Sequence, residues 1–187
     1  IALPANPVYE IPLNPDVTEQ TTEEAILDYI LGREVSGGGW TFSGNQADID
    51  MTAITMQALA PYYRKSGYGN VTSAIDRALK VLSDSQSSTT GGFQSMSTEN
   101  SESCAQVIVA LSSLGIDCKT DKRFVKNGKW PVQALIDYKL NNSGFQHIKN
   151  GKVNSLATSQ AFYALVAYQR LQNKKTSLYN MSDVQLT

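Results

Sequence analysis

Two carboxylates, Asp48 and Asp50, stand at the head of a long segment, residues 49–62, that carries no other charge. A carboxylate in that place can satisfy the free N–H groups of a first helical turn, a cap worth about 1 kcal/mol. It can also serve as a general acid, which makes Asp48 and Asp50 the alternative catalytic candidates. A second acid occurs in Glu102-Ser103-Cys104, and the chain has one histidine, His147. Glutamate, cysteine and histidine are zinc-ligand types. His147 lies beside a Gly-Phe turn rather than on the same helix, so a third ligand is missing where it would be needed. Cys104 is therefore expected to be a small buried hydrophobe, with no metal and no cofactor.

Ligand-binding candidates of other kinds surround these acids. Trp40, Phe93 and Phe145 each follow a glycine at matching points of the chain, where they can line an apolar site or pack a turn onto its neighbour. Thr52, Glu102, Gln106, Asn154 and Gln160 fall near the starts of apolar helices, where helix dipoles present their positive ends. With Asp50 and the three aromatics they make up the candidate set. Tyr62, Tyr63, Tyr163 and Tyr168 recur at helical spacing and are read as core residues with satisfied hydroxyls.

The elements that must position these groups form a repeat. Gly38-Gly39-Trp40 precedes Asp48 to Leu59, Gly91-Gly92-Phe93 precedes Asn100 to Leu111, and Ser143-Gly144-Phe145 precedes Asn154 to Leu165. The Ala-Leu pairs begin at 58, 110 and 164, separations of 52 and 54 residues, close to the roughly 20 to 50 residue periods of stacked supersecondary units. Before each Gly-aromatic turn lies a one-sided helix. The first is capped by Thr21 or Thr22, with Glu23 and Glu24 in its first turn and Ile26, Tyr29 and Ile30 inward. The second carries Val71, Ala74, Ile75, Ala78, Leu79 and Leu82 on one face. The third opens at Pro131 with Val132, Leu135 and Ile136 inward, after a polar connection holding a short helical turn at Asp121 to Val125. After each turn lies a helix that is apolar all round, near 49–63, 101–114 and 156–171. An outer and an inner layer of helices would need this alternation. The expected fold is all-α, an α/α toroid of three hairpins, about 21–65, 71–115 and 121–173, within a domain spanning 21–184. Residues 1–20, with four prolines, read as an extended strap or linker. Six helices are too few to close a ring, so half a ring is expected, with one apolar flank left exposed and essentially no β-sheet.

Composition bounds the rest. With 187 residues, 41% of them hydrophobic, the chain can bury one ordinary core. A formal net charge of −1 without a basic face argues against nucleic acid. No apolar run approaches the roughly 18 residues of a membrane span. Ile1-Ala2-Leu3-Pro4 resembles the start of an excised piece. Cys104 and Cys118 are expected at opposite ends of one helix, beyond disulfide reach, as free thiols.

The Gly-Gly-Trp turn, Asp48-Ile49-Asp50-Met51-Thr52-Ala53 and the Ala58-Leu59-Ala60-Pro61-Tyr62 ending resemble the prenyltransferase and squalene-cyclase repeat superfamily of α/α toroids. A narrower likeness lies in Asn100 to Leu111, Gly115-Ile116-Asp117, Arg123 to Gly128 and Gln160 to Tyr168 through Ser177-Leu178-Tyr179. These resemble toroid domains of large Gram-positive surface proteins that also carry wall-associated or transcobalamin-like modules. The likeness covers about residues 9–184, and Tyr9-Glu10-Ile11-Pro12 resembles the junction between two halves of such a domain. It implies a second half whose partner is the first half or a second copy, in a non-catalytic binding module on the outside of a bacterial cell. An apolar or corrinoid small molecule is the implied ligand class. The superfamily's cyclases imply the alternative, an enzyme acting on an isoprenoid with Asp50 as acid, although Met51 stands where their motif has a third aspartate. Protein prenyltransferases bind zinc through an Asp-x-Cys pair, which Glu102-Ser103-Cys104 matches in spacing alone.

Overall fold

The computed structural model describes residues 11–141 and 143–185. Tyr9, Glu10 and the first half of the expected strap lie outside them. Residues 11–20 are coil and turns, held locally by the Asn14 N–H donating to Gln20 Oε1 at 2.8 Å.

The described chain is mostly helical: α1 (Glu23–Leu31), α2 (Ile49–Leu59), α3 (Gly69–Ser85), α4 (Ser101–Ser113), α5 (Pro131–Ile136) and α6 (Ser155–Gln172). Several boundaries have a local cause. Thr22, not Thr21, caps α1 by accepting from the Ala25 N–H. Asp48, Asn100 and Asn154 cap α2, α4 and α6 in the same way, each accepting from the amide three residues on. Pro61 converts the end of α2 into a single 3-10 turn, Ala60–Tyr62. Gly115, at φ +73°, ends α4, with the Ile116 N–H donating to Leu111 O at 2.9 Å and the Gly115 N–H to Ser112 O at 3.1 Å. Pro131 occupies the first position of α5, where its missing N–H costs nothing.

Helix α4 sits in the middle, packed against α2, α5 and α6, while α3 covers α2 and α1 covers α3. The α3 stripe behaves as its pattern dictates: Val71, Ala74, Ile75, Ala78, Leu79 and Leu82 are each 1% exposed or less. Each side chain of leucine size buried there contributes about 2 kcal/mol. Cys104 and Cys118 are both free and buried.

Small sheets supplement the helices. β1 (Gln94–Ser95) pairs antiparallel with β2 (Thr98–Glu99), and β3 (Lys139–Leu140) with β4 (Gly144–Phe145). Met96 and Ser97 turn the first hairpin with φ of 49° and 64°, the doubly left-handed turn that matches strand twist. The loop from Phe93 to Asn100 is thus a short hairpin, while the loop from Trp40 to Asp48 contains no strand.

Three local expectations fail. Tyr29 is 64% exposed beneath the Arg33 guanidinium, and Leu27 takes the inward place with Ile30. The stripe of a nine-residue helix is narrow, and Leu27 and Ile30 are the pair it buries. Ile136 is 43% exposed because α5 lasts six residues before the chain swings into β3. Asp121 to Val125 makes hydrogen-bonded turns, Phe124 N–H to Asp121 O at 2.9 Å, and no helix.

Candidate functional site

The Gly-aromatic turns are built by one device used three times. The cap residue's N–H donates to the carbonyl of the aromatic: Asp48 to Trp40 at 2.9 Å, Asn100 to Phe93 at 3.2 Å and Asn154 to Phe145 at 2.9 Å. Four residues beyond each cap stand Thr52, Cys104 and Thr158. Thr52 Oγ1 accepts from the Trp40 N–H at 3.0 Å, and Thr158 Oγ1 from the Phe145 N–H at 2.9 Å. Cys104 takes the same position under Phe93, its Sγ against Gly92. A Cβ at Gly39 or Gly144 would fall 2.8 or 2.6 Å from the threonine oxygen, which is why glycine precedes the aromatic. Gly38 and Gly91 admit backbone next door: a Cβ there would lie 2.8 Å from Arg77 of α3 or from the Trp130 nitrogen ahead of α5. In the third copy the corresponding residue is Ser143, which is exposed.

Several candidates therefore belong to packing. Trp40, Phe93 and Phe145 are 3%, 0% and 4% exposed, and the Trp40 indole N–H donates to Ile30 O at 2.8 Å, tying the turn to α1. Thr52 is fully buried and Asn154 is a cap. Asp48 is a cap as well, its second oxygen accepting from Ser95 Oγ at 3.3 Å. Burial pushes the Cys104 thiol up to about 12, so no thiolate forms near neutrality. Glu102, two residues earlier on α4, faces the opposite way into a cleft. Among the described residues no three His, Cys, Asp or Glu side chains are grouped to hold a metal ion.

The other candidates come together. Asp50, Glu102, Gln106 and Gln160 line one cleft of about 540 Å³, open to solvent, at the N-terminal ends of α2, α4 and α6. Registering the helices on their caps explains its walls. Asp50, Glu102 and Leu156 are two residues beyond the cap, and Ile54, Gln106 and Gln160 six beyond. One helical face of each repeat thus contributes the same two rungs. The β1–β2 hairpin adds Ser95 and Met96, and the loop ahead of α6 adds His147 and Ile148. Ile54, Leu156, Ser95, Met96 and Ile148 are absent from the sequence-based candidates, and His147 is weighed there only as a metal ligand. Cap registration would have exposed the first two; only the folded loops bring in the others.

Electrostatically the cleft is acidic. His147 Nδ1 lies 2.8 Å from Glu102 Oε2, so the nitrogen facing the carboxylate carries the proton. The Ser101 hydroxyl sits 2.9 Å from both that oxygen and Gln146 O. Among the described residues Asp50 has no imidazole or other basic partner. Burial raises its affinity for a proton, the charges of Asp48 and Glu102 raise it further, and the nearby hydroxyls of Ser103 and Ser95 oppose them. Neither Asp50 Oδ1 nor Ser103 Oγ, both buried, makes a hydrogen bond of standard geometry.

Beneath the cleft a polar ladder joins the three helices. Gln57 Nε2 donates to Gln106 Oε1 at 2.9 Å, Gln106 Nε2 donates to Gln160 Oε1 at 3.0 Å and to the Tyr163 hydroxyl, and the Tyr179 hydroxyl donates to Gln57 Oε1 at 3.0 Å. Tyr63 and Tyr168 also find partners, Asp76 and Asp117. The tail after α6 is thus folded back over the C-terminal end of α2, its return fixed by Arg170 bonding Thr176 and Asp183. No protein-family model matches this chain, and a search of curated proteins finds no match either.

Proposed function

We propose that this chain is the second half of an α/α toroid, with residues 21–184 as its repeat domain, serving as a non-catalytic ligand- or protein-binding module of a secreted bacterial cell-surface protein. One observation carries the binding role: four polar candidates, Asp50, Glu102, Gln106 and Gln160, converge on a cleft that is open to solvent, of a size that holds small ligands. A cyclase needs a closed, water-free cavity with its acid at the centre. Support for the toroid comes from the row α2, α4, α6 with α3 and α5 packed on it, and from the threefold cap and turn device. The extracellular setting rests on the residue likeness to surface proteins. Native mass spectrometry of the protein isolated from its source is the test, and a co-purified small molecule or polypeptide is the expected result. A homogeneous, ligand-free monomer with no partner would count against the reading.

Missing cover supports the proposed partner, the first half of the toroid or a second copy. Leu156, Phe162 and Val166 are 60%, 61% and 40% exposed along α6. An apolar face of this kind marks an interface on a soluble protein. Ultracentrifugation with a dye for apolar surface checks it: self-association or strong dye binding is expected, whereas a compact monomer that binds no dye removes the need for a partner. Among the described residues no helix is long and apolar enough to cross a membrane.

The raised proton affinity of Asp50 favours a second reading, an acid-catalysed isoprenoid cyclase. Incubation with squalene and related isoprenoids separates the two. A cyclic product that disappears in Asp50→Asn would replace the binding role with an enzymatic one.

A further inference from the structure

We infer that the cleft between α2, α4 and α6 takes an organic cation, an ammonium group carried on an apolar chain, with the charge seated between Asp50 and Glu102. The inference rests on the binding-module reading and names its ligand class. The two carboxylates project from equivalent rungs of neighbouring helices, and none of the residues lining the cleft is Lys or Arg. Lys149, in the adjoining loop, is turned away: its ammonium donates to Asp137 O and lies 4.4 Å from the centre of the Tyr138 ring. His147 answers Glu102 alone. Asp50 Oδ1 is buried and makes no hydrogen bond of standard geometry, and beside it the fully buried Ser103 hydroxyl makes none either. Such orphaned groups cost free energy wherever they are desolvated, and an N–H donor entering the cleft removes that cost.

The remaining walls select the body of the ligand. Leu156 stands on the rung of α6 that matches Asp50 and Glu102, and Ile54 on the rung of α2 that matches Gln106 and Gln160; with Met96 and Ile148 they give an apolar rim. Met96 is 97% exposed at its hairpin tip, a flexible thioether free to close over an alkyl chain. An anion meets two carboxylates, and a neutral apolar molecule leaves Asp50 unsatisfied. A cation with an alkyl tail meets both surfaces.

The test uses the whole chain with three probes of one length: pentylammonium, 1-pentanol and pentanoate. Amide shifts read by NMR should move at Asp50, Ile54, Glu102 and Gln106 on titration with pentylammonium, with an affinity at least tenfold above that for pentanol or pentanoate. Asp50→Asn should weaken pentylammonium at least tenfold. Glu102→Gln is the second variant, and circular dichroism confirms that each is folded. Glu24→Gln, exposed on α1, should change nothing. Equal binding of pentanol and pentylammonium, or a folded Asp50→Asn that binds pentylammonium as tightly as the unaltered chain, would overturn the cation while leaving a ligand cleft in place. Silence of the cleft amides with all three probes would overturn the cation and the small-molecule arm of the binding reading together.

Discussion

Helices α4 and α6 look alike in sequence and differ in the fold. Both begin at an asparagine cap, both carry apolar residues all the way round, and both hold glutamine six residues past the cap. In α4, between α2, α5 and α6, residues Cys104 to Leu111 are buried without a break. In α6 only Ala157, Ala161, Ala164 and Ala167 are buried, while Leu156, Phe162 and Val166 face outward. Apolar composition marks a helix as one that needs cover; the place in the array decides whether this chain supplies it. The alanine stripe on α6 lets it lie close against α4, which has neighbours enough to bury large side chains on its other sides.

The largest expected contrast comes from truncating one side chain on each helix. Ile108→Ala in α4, at 0% exposure, should cost about 3 kcal/mol, a transfer loss plus a cavity, whereas Phe162→Ala should cost less than about 0.5 kcal/mol. Urea unfolding of both variants decides it. Equal losses would mean that α6 is covered in solution, which points to self-association of the chain.

Overfilling the seam between the two helices is the next test. Ala161→Leu, at a fully buried position, should cost about 2 kcal/mol because the close approach leaves no room. Retention of the full thermal midpoint would show that the seam is loose and that α6 moves as an edge.

Breaking the turn device gives a smaller loss. Gly144→Ala places a Cβ about 2.6 Å from Thr158 Oγ1, at a φ of +135°, and should cost about 1 to 2 kcal/mol. Thr158→Ala in the same background should recover part of it, since the clash is with that side chain. Absence of recovery would assign the cost to the backbone alone.

The smallest effect concerns the acidic rung that α2 and α4 share and α6 replaces with Leu156. The folded state holds the Asp50 proton more tightly than the unfolded chain, whose carboxyl titrates near 3.8. Between that value and the raised folded one the folded state binds more protons, so stability falls as pH rises through the window. Asp50→Asn removes the penalty and should raise stability at pH 7, a gain that disappears below about pH 4. Thermal melts at the two pH values measure it. A loss at pH 7 would mean that Asp50 is already paired to a donor.

Much of the fold was legible because its signals are local. The cap at Thr22, one of two threonines offered, the cap at Asp48, the start at Pro131 and the α3 stripe each depend on residues within one or two turns, so sequence and structure agree on them, whereas the capping roles of Asn100 and Asn154 emerge only in the structure. The repeat itself was visible because the same turn must be built three times, with a glycine wherever another element comes close. Four of the site candidates, Asp50, Glu102, Gln106 and Gln160, were legible because they stand near the starts of apolar helices. What the sequence could not decide was direction and company. Whether Trp40 faced a ligand or α1 depended on the reach of its indole to Ile30 O, and whether α6 was covered depended on neighbours that no stretch of residues encodes. His147 joined Glu102 across 45 positions, and Tyr179 joined Gln57 across 122. Pairings of that kind arise only when packing brings distant loops and the tail onto the helix ends, because the free energy that selects them is spread over the whole core rather than stored in any local pattern.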